Sequence, residues 1–188
     1  DMYATMITSV ALGIGLSAAA GFRVFIPLLI ASVAGHFGWL PLTAGFSWLA
    51  GWPAMICFGT AALVEVAAYY IPVVDNLLDG INLPIVVAAG SLLATSVLPV
   101  DQDLWKWVSG ILIGGGSAGI IHTGTAFLRL GSTKFTAGTG NAVLATAEHA
   151  AAIGTTISAL LIPVAAAVVI CALIVYISFR FLTGPRKK

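Results

Sequence analysis

The stretch Gly13-Ile-Gly-Leu-Ser-Ala-Ala-Ala-Gly21-Phe-Arg23-Val-Phe-Ile-Pro27-Leu-Leu-Ile30 decides the fold. It lies inside an apolar run from Tyr3 to Trp39. As one straight helix that run would reach about 55 Å, against a bilayer core of about 30 Å. Something must break it, and Gly21, Arg23 and Pro27 mark the place. Pro27 removes a backbone donor and crowds the preceding turn. The break is either a kink inside one tilted helix or a turn between two helices. One discontinuous element is the expectation.

Composition extends this reading to the whole chain. Of 188 residues, 60% are hydrophobic and 8% charged, and the mean hydropathy is +1.07. A soluble domain carries about 25% charged residues. A chain this size has too little interior to hide so much apolar surface from water. An ordinary cytoplasmic enzyme, a disordered protein and a nucleic-acid binder are excluded; a net charge of +1 gives nucleic acid no general attraction. An all-α, polytopic transmembrane bundle remains, with about six crossings at about 20 residues each.

The crossings follow from the punctuation. Trp39, Trp48 and Trp52 suit a water–lipid interface. A second helix runs from about Pro53 to Ile71, and a loop over 72–83 carries Asp75, Asn76 and Asp79. A third helix runs from about Pro84 to Leu98. Trp105 and Trp107 anchor a fourth, to about Leu130. Gly131 to Asn141 reads as a polar, Gly-rich loop. The run from Ala142 to Leu182 is too long for one crossing, and Ile162-Pro163 is its turn. One integral membrane domain over 2–182 and a basic tail over 183–188 result. Arg129, Lys134, Arg180, Arg186, Lys187 and Lys188 fall on one side and Lys106 on the other. With six crossings both termini are therefore cytoplasmic; if the first stretch is two crossings, the total is seven, the N-terminus moves outside and the C-terminal half keeps its orientation.

Gly15-Leu-Ser-Ala-Ala is similar to Gly115-Gly-Ser-Ala-Gly, and Ala62-Leu-Val-Glu65-Val-Ala-Ala to Ala145-Thr-Ala-Glu148-His-Ala-Ala. Two readings stand: a 3+3 inverted repeat (2–98 and 104–182) of the kind transporters use, or chance matches in Ala/Gly-rich sequence.

Three charged residues fall inside apolar runs. Arg23 could hold an anionic solute, or pair with a carboxylate and lock the broken helix. Glu65 and Glu148 are intramembrane acids, either of which could pair with Arg23, move protons or bind a cation. His122 is a candidate proton relay or a satisfied histidine at a kink. These four residues form the expected intramembrane polar site. Ser132, Thr133, Lys134, Thr139, Gly140 and Asn141 run into a helix N-terminus and suit an anion or lipid headgroup. The alternative there is an N-cap by Asn141. Asp75 and Asp79, spaced i, i+4, could bind a cation or cap helices. Cys57 and Cys171 read as buried small hydrophobes. No spacing resembles a metal site, no nucleophile motif is present, and nothing calls for a cofactor. Stripes at Gly13/Ser17/Gly21, Gly110/Gly114 and Gly115/Gly119 let helices approach closely, within the subunit or in a homo-oligomer.

Gly21-Phe-Arg-Val-Phe-Ile-Pro27-Leu-Leu, Glu65-Val-Ala-Ala-Tyr-Tyr-Ile-Pro72-Val-Val-Asp75-Asn-Leu-Leu-Asp79, and Ser132-Thr to Gly140-Asn141 followed by Glu148 occur in this order. On these residues the chain resembles a bacterial membrane family known as domain of unknown function 4126. It departs from the family at Tyr69-Tyr70, where many members carry Asp-Lys, and at Ala142, where they carry Pro. The resemblance implies a multi-pass protein of the bacterial inner membrane and brings no substrate. The residues themselves lead to a small transporter or channel-like protein for an ion or small solute, anions included, with its C-terminus cytoplasmic. Its partners are membrane lipids, the ion or small solute, and further copies of itself in a homo-oligomer, not nucleic acid. The rival reading is a non-catalytic scaffold or lipid-binding accessory protein. An intramembrane lipid enzyme using Asp75, Asp79 and Lys134 comes third.

Overall fold

The computed structural model describes residues 2–136 and 138–183, and the side chains of all of these except 72–81. Its regular structure is helical, and no strand occurs among the described residues. The helices are α1 (Met2–Phe22), α2 (Phe25–His36), α3 (Trp52–Ala68), α4 (Pro72–Val97), α5 (Asp103–Gly110), α6 (Gly116–Thr136), α7 (Asn141–Leu161) and α8 (Pro163–Thr183). A 3-10 segment (Ala44–Ala50) precedes α3, and a π turn (Ile111–Gly115) joins α5 to α6. That turn ends in the run Gly114-Gly-Gly116, whose glycines give the backbone freedom to leave the regular helical register.

Four helical rods are long and apolar enough to cross a membrane: α1, α5 to α6 taken together, α7 and α8. The 3-10 segment and α3, bent by 59°, make a fifth if they count as one. A helical membrane bundle is the fold these lengths support.

The centre of the bundle is α1, the most enclosed of these rods, while α8 is the least. Small residues put α1 there. A Cβ added at Gly15 would lie 2.6 Å from the Ala159 methyl carbon, and one at Gly21 would lie 2.6 Å from the Ala118 carbonyl oxygen. Glycine is what lets α7 and α6 come this close. Ser17 Oγ donates to the Gly90 carbonyl at 2.7 Å, and Gly13 packs on Ala94. Gly110 meets Thr95, and Gly119 meets Val87. The small-residue stripes are therefore used inside the subunit.

The first stretch is a hairpin rather than one discontinuous rod. Gly15 of α1 packs at Ala159 of α7, and Val33 and Ala34 of α2 share a groove with Leu160 and Leu161 of α7. Both arms thus reach the same end of α7, while Arg23 at the apex reaches Glu148. The turn is held because Glu65 of α3 accepts the Val24 and Phe25 amides that the break leaves open.

Other boundaries move as well. α4 begins at Pro72 with Pro84 inside it, so residues 72–83 are helical. α6 continues to Thr136, so Ser132, Thr133 and Lys134 belong to a helix end. Cys57 and Cys171 are exposed on the outside of the bundle, not buried. An apolar thiol facing outward is at no disadvantage in a bilayer. Trp39, Trp48, Trp52, Trp105 and Trp107 are all exposed, as interface anchors are.

Helix directions correct two expectations. Met6, Ile7 and Val10 of α1 share a groove with Val164, Ala167 and Val168 of α8, and Phe22 shares one with Ile177 and Arg180. α1 and α8 are therefore parallel, and Met2 and Thr183 lie at opposite ends of the bundle. Six crossings with both termini on one face do not fit this placement. The inverted repeat fails for a related reason. α1 and α6 both run antiparallel to α4, so the Gly15 and Gly115 helices are parallel. α3 leads from Trp52, beside His36, to Glu65 at the hairpin apex, and α7 leads away from that apex. One symmetry operation cannot relate a parallel pair and an antiparallel pair together.

Candidate functional site

The hairpin apex sits in a buried cluster of charge. Arg23 has no exposed side-chain surface, and its Nη2 lies 2.6 Å from Glu148 Oε2. Arg129 approaches the same carboxylate from α6: its Nε donates to Oε1 at 2.9 Å and its Nη2 pairs with Oε2. Each helix presents its residue for a simple reason. α1 ends one residue before Arg23, which frees that side chain to point along the helix end. Glu148 lies two turns into α7, on the face with Ala145 and Ala152, whose small size lets α1 and α2 close on it.

Tyr69 lies under both cations. The Arg23 guanidinium carbon is 3.4 Å from the ring centroid, and that of Arg129 is 4.5 Å away. The negative face of the ring offsets part of the repulsion between two guanidinium groups that share one carboxylate. Asn82 of α4 holds the ring in place by donating from Nδ2 to the Tyr69 hydroxyl at 2.5 Å.

Glu65 does something different. The break between α1 and α2 leaves the Val24 and Phe25 amides without carbonyl partners of their own helix. Glu65 Oε1 accepts from Val24 N at 2.8 Å, and Oε2 accepts from Phe25 N at 3.0 Å. A carboxylate from α3 thus caps the N-terminus of α2, where the helix dipole also favours negative charge. Of the two acids considered for Arg23, Glu148 is the one in contact.

His122 and His149 flank the cluster, within electrostatic range of Arg23, Arg129 and Glu148. His149 Nδ1 donates to the Ala145 carbonyl at 2.5 Å, and its ring stacks on Tyr70. The Nε2 atoms of both histidines are buried and lack a hydrogen-bond partner among the described residues. His122 is not at a kink: the π turn ends seven residues before it.

The expected loop site divides. Thr133 accepts from Asn141 Nδ2 at 3.1 Å, and Thr136 Oγ1 accepts from Gly140 N at 3.0 Å. The Thr139 hydroxyl donates to the Thr136 carbonyl at 2.9 Å. Ser132 Oγ is 3.4 Å from the Thr136 hydroxyl. These groups bond to one another, although Asn141 Oδ1 is buried without a hydrogen-bond partner among the described residues, and Asn141 reaches back to α6 instead of capping α7. Lys134 sits in the last turn of α6. The side chains of Asp75 and Asp79 lie outside the described residues. No group of three or more potential metal ligands occurs among the described residues.

Arg129, Tyr69 and Asn82 escaped the sequence reading. A signal for Arg129 existed: His122, Thr125 and Arg129 follow an i, i+3, i+7 spacing and mark one buried face of α6. Arg129 is only 3% exposed, which separates it from the interfacial cations it resembles in sequence.

No curated protein and no solved structure matches the chain. A family model does match, over residues 10–182, and that range contains every residue of the cluster. The chain belongs to the family described as Domain of unknown function (DUF4126).

Proposed function

We propose that this membrane protein moves a small anionic solute, with Arg23 and Arg129 as the binding groups and Glu148 as their internal competitor. The observation that carries this reading is the state of Arg23. Its guanidinium is fully buried and touches Glu148 through one nitrogen, at 2.6 Å. None of its three nitrogens makes an aligned hydrogen bond among the described residues. A guanidinium offers five donors in a planar fork, which fits an oxyanion or a halide. Leaving buried donors unmatched costs about 1–3 kcal/mol each. An anion that displaced Glu148 would recover part of that cost.

Lys134 and Arg180 lie at the arginine end of the bundle and Lys106 at the tryptophan end. The positive-inside rule then puts the arginine end, and with it the C-terminus, in the cytoplasm of a bacterial cell. Met2 falls on the opposite side.

The test is flux through purified protein in liposomes. Wild type should carry anions, and Arg23→Lys should lose roughly tenfold or more, because an ammonium cannot reproduce the planar fork. Equal flux in the two proteins would remove Arg23 from the mechanism. A second reading, a non-transporting scaffold or lipid-binding protein, draws on the apolar grooves along α8, such as the one lined by Met6, Val10 and Val168. It predicts folded protein with no flux and with lipid retained through purification.

A further inference from the structure

We infer that the groove between α6 and α8 binds a phospholipid with an anionic headgroup, its acyl chain lying between the two helices and its phosphate on Arg180. Binding there does not require the transport activity proposed above. Two stripes build the groove: Ile121, Gly124 and Leu128 line it from α6, and Leu173, Ile177 and Arg180 from α8. Their spacings of three, four and seven residues put each set on one face of its helix. A Cβ added at Gly124 would meet Ile177 Cδ1 at 3.1 Å, so the helices touch at the floor. The Phe127 and Phe181 rings meet edge to face, with centroids 4.6 Å apart, and close one wall. Ile121 at the floor is buried, whereas Leu128 and Tyr176 on the rim are exposed. The hollow between them is about 460 Å³ and opens to the outside of the bundle.

The chemistry changes along the groove. Gly124 lies at Ile177 and Phe127 at Phe181, so α6 and α8 run parallel and end on the same side. Leu173 lies about 10 Å deeper along α8 than Arg180, which is in the last turn of that helix. The Thr125 hydroxyl in the lining is taken up by the His122 carbonyl at 2.9 Å. The walls are therefore hydrocarbon, and the charge sits at the mouth. Arg180 is exposed there and makes no hydrogen bond or ion pair among the described residues. Lys134 adds a second cation, seven residues beyond Phe127 on the same face of α6 and toward the same end. An acyl chain can lie against the walls while the phosphate meets the guanidinium where α8 leaves the bilayer. A zwitterionic headgroup carries its own cation and gains less from this mouth than an anionic one. A free phosphate would leave the hydrocarbon walls unused.

Native mass spectrometry of the full chain in detergent tests this with phosphatidylglycerol and phosphatidylcholine of identical acyl chains. Wild type should bind phosphatidylglycerol about fivefold more tightly or better, the scale of one cation beside an anionic headgroup. Arg180→Gln should erase that preference, and Arg180→Lys should keep most of it. Leu128→Gln puts an amide on the groove wall and should weaken both lipids alike. Arg180 and Leu128 are both exposed, so these changes leave the core as it is. Glycerol phosphate, which carries the charge without the chains, should not displace the lipid. The triple change Arg186→Gln, Lys187→Gln and Lys188→Gln should leave the preference in place. Equal binding of the two lipids by wild type, or a preference that survives Arg180→Gln, overturns the site. A preference lost in the triple variant assigns it to diffuse tail charge and overturns the site as well. Wild-type affinity in Leu128→Gln takes the chain out of the groove, and displacement by glycerol phosphate makes the mouth a free-anion site; either result overturns the lipid assignment.

Discussion

Glu65 and Glu148 stand in nearly the same local sequence, each in a small-residue helix and followed by Ala-Ala one residue later. They bind opposite kinds of partner. Glu65 accepts from two backbone amides at the start of α2, and Glu148 forms ion pairs with two arginine side chains. Backbone donors are fixed by the helix they belong to. Arginine side chains have rotamers to choose from. The first acid therefore fixes the architecture, because it makes the hairpin apex stable inside the bundle. The second can be exchanged for something else. Helix composition does not separate the two roles; the nature of the donors does.

Removing each acid in turn sharpens the contrast. Glu148→Ala leaves two buried guanidinium groups without their shared carboxylate and should destabilise the protein by about 3–5 kcal/mol. Glu65→Ala leaves two buried amides unpaired and should cost less, about 2–4 kcal/mol. Thermal unfolding in detergent measures both. Chloride at high concentration should restore part of the loss in Glu148→Ala, because the arginines can close on a smaller anion. It should restore much less in Glu65→Ala, where the donors cannot move. Equal recovery in the two variants would break the comparison.

A smaller effect comes from the wall that positions Arg23. Gly21 lies two residues before it, and an added Cβ would meet the Ala118 carbonyl oxygen and Ile121 Cβ, each at 2.6 Å. Both belong to α6, the helix that carries Arg129. Gly21→Ala should therefore cost about 1–3 kcal/mol through overpacking, and it should lower flux as well as stability. Gly131→Ala is the control. It lies on the same helix with nothing within 4 Å of an added Cβ, and Ala favours the helix there by about 0.5–1 kcal/mol. A Gly21→Ala protein as stable as Gly131→Ala would show that the two helices do not meet this closely.

The sequence revealed the class of the fold and some of the site, for reasons tied to particular residues. Hydropathy identified a helical membrane protein, and Arg23, Glu65 and Glu148 stood out because charge inside an apolar run is costly. Their pairing was not legible, because one chain of letters cannot say which of two equivalent acids an arginine reaches. Arg129 was missed because a cation near a helix end is usually interfacial, and only tertiary packing buries it. The hairpin stood as one of two readings, because Gly21 and Pro27 allow a kink as readily as a turn. What selects the turn is a carboxylate on α3, forty residues away in sequence. The helical continuation through 72–83 was missed because its polar residues read as a loop by composition.

Tyr69 gives the finest test of how the exchangeable site is held. Its ring supports both guanidinium groups through its face, and its hydroxyl accepts from Asn82. Tyr69→Phe keeps the ring and removes the hydroxyl. The loss should be about 1 kcal/mol, the worth of one hydrogen bond that tethers α3 to α4. If the ring is what holds the two cations together, anion flux should survive this change, and only the midpoint of unfolding should fall. Should Tyr69→Phe alter anion flux at unchanged stability, the hydroxyl itself would be touching the solute. Tyr69 would then stand with Glu148 among the movable partners, and the boundary between fixed and movable groups would have to be drawn at the end of α3.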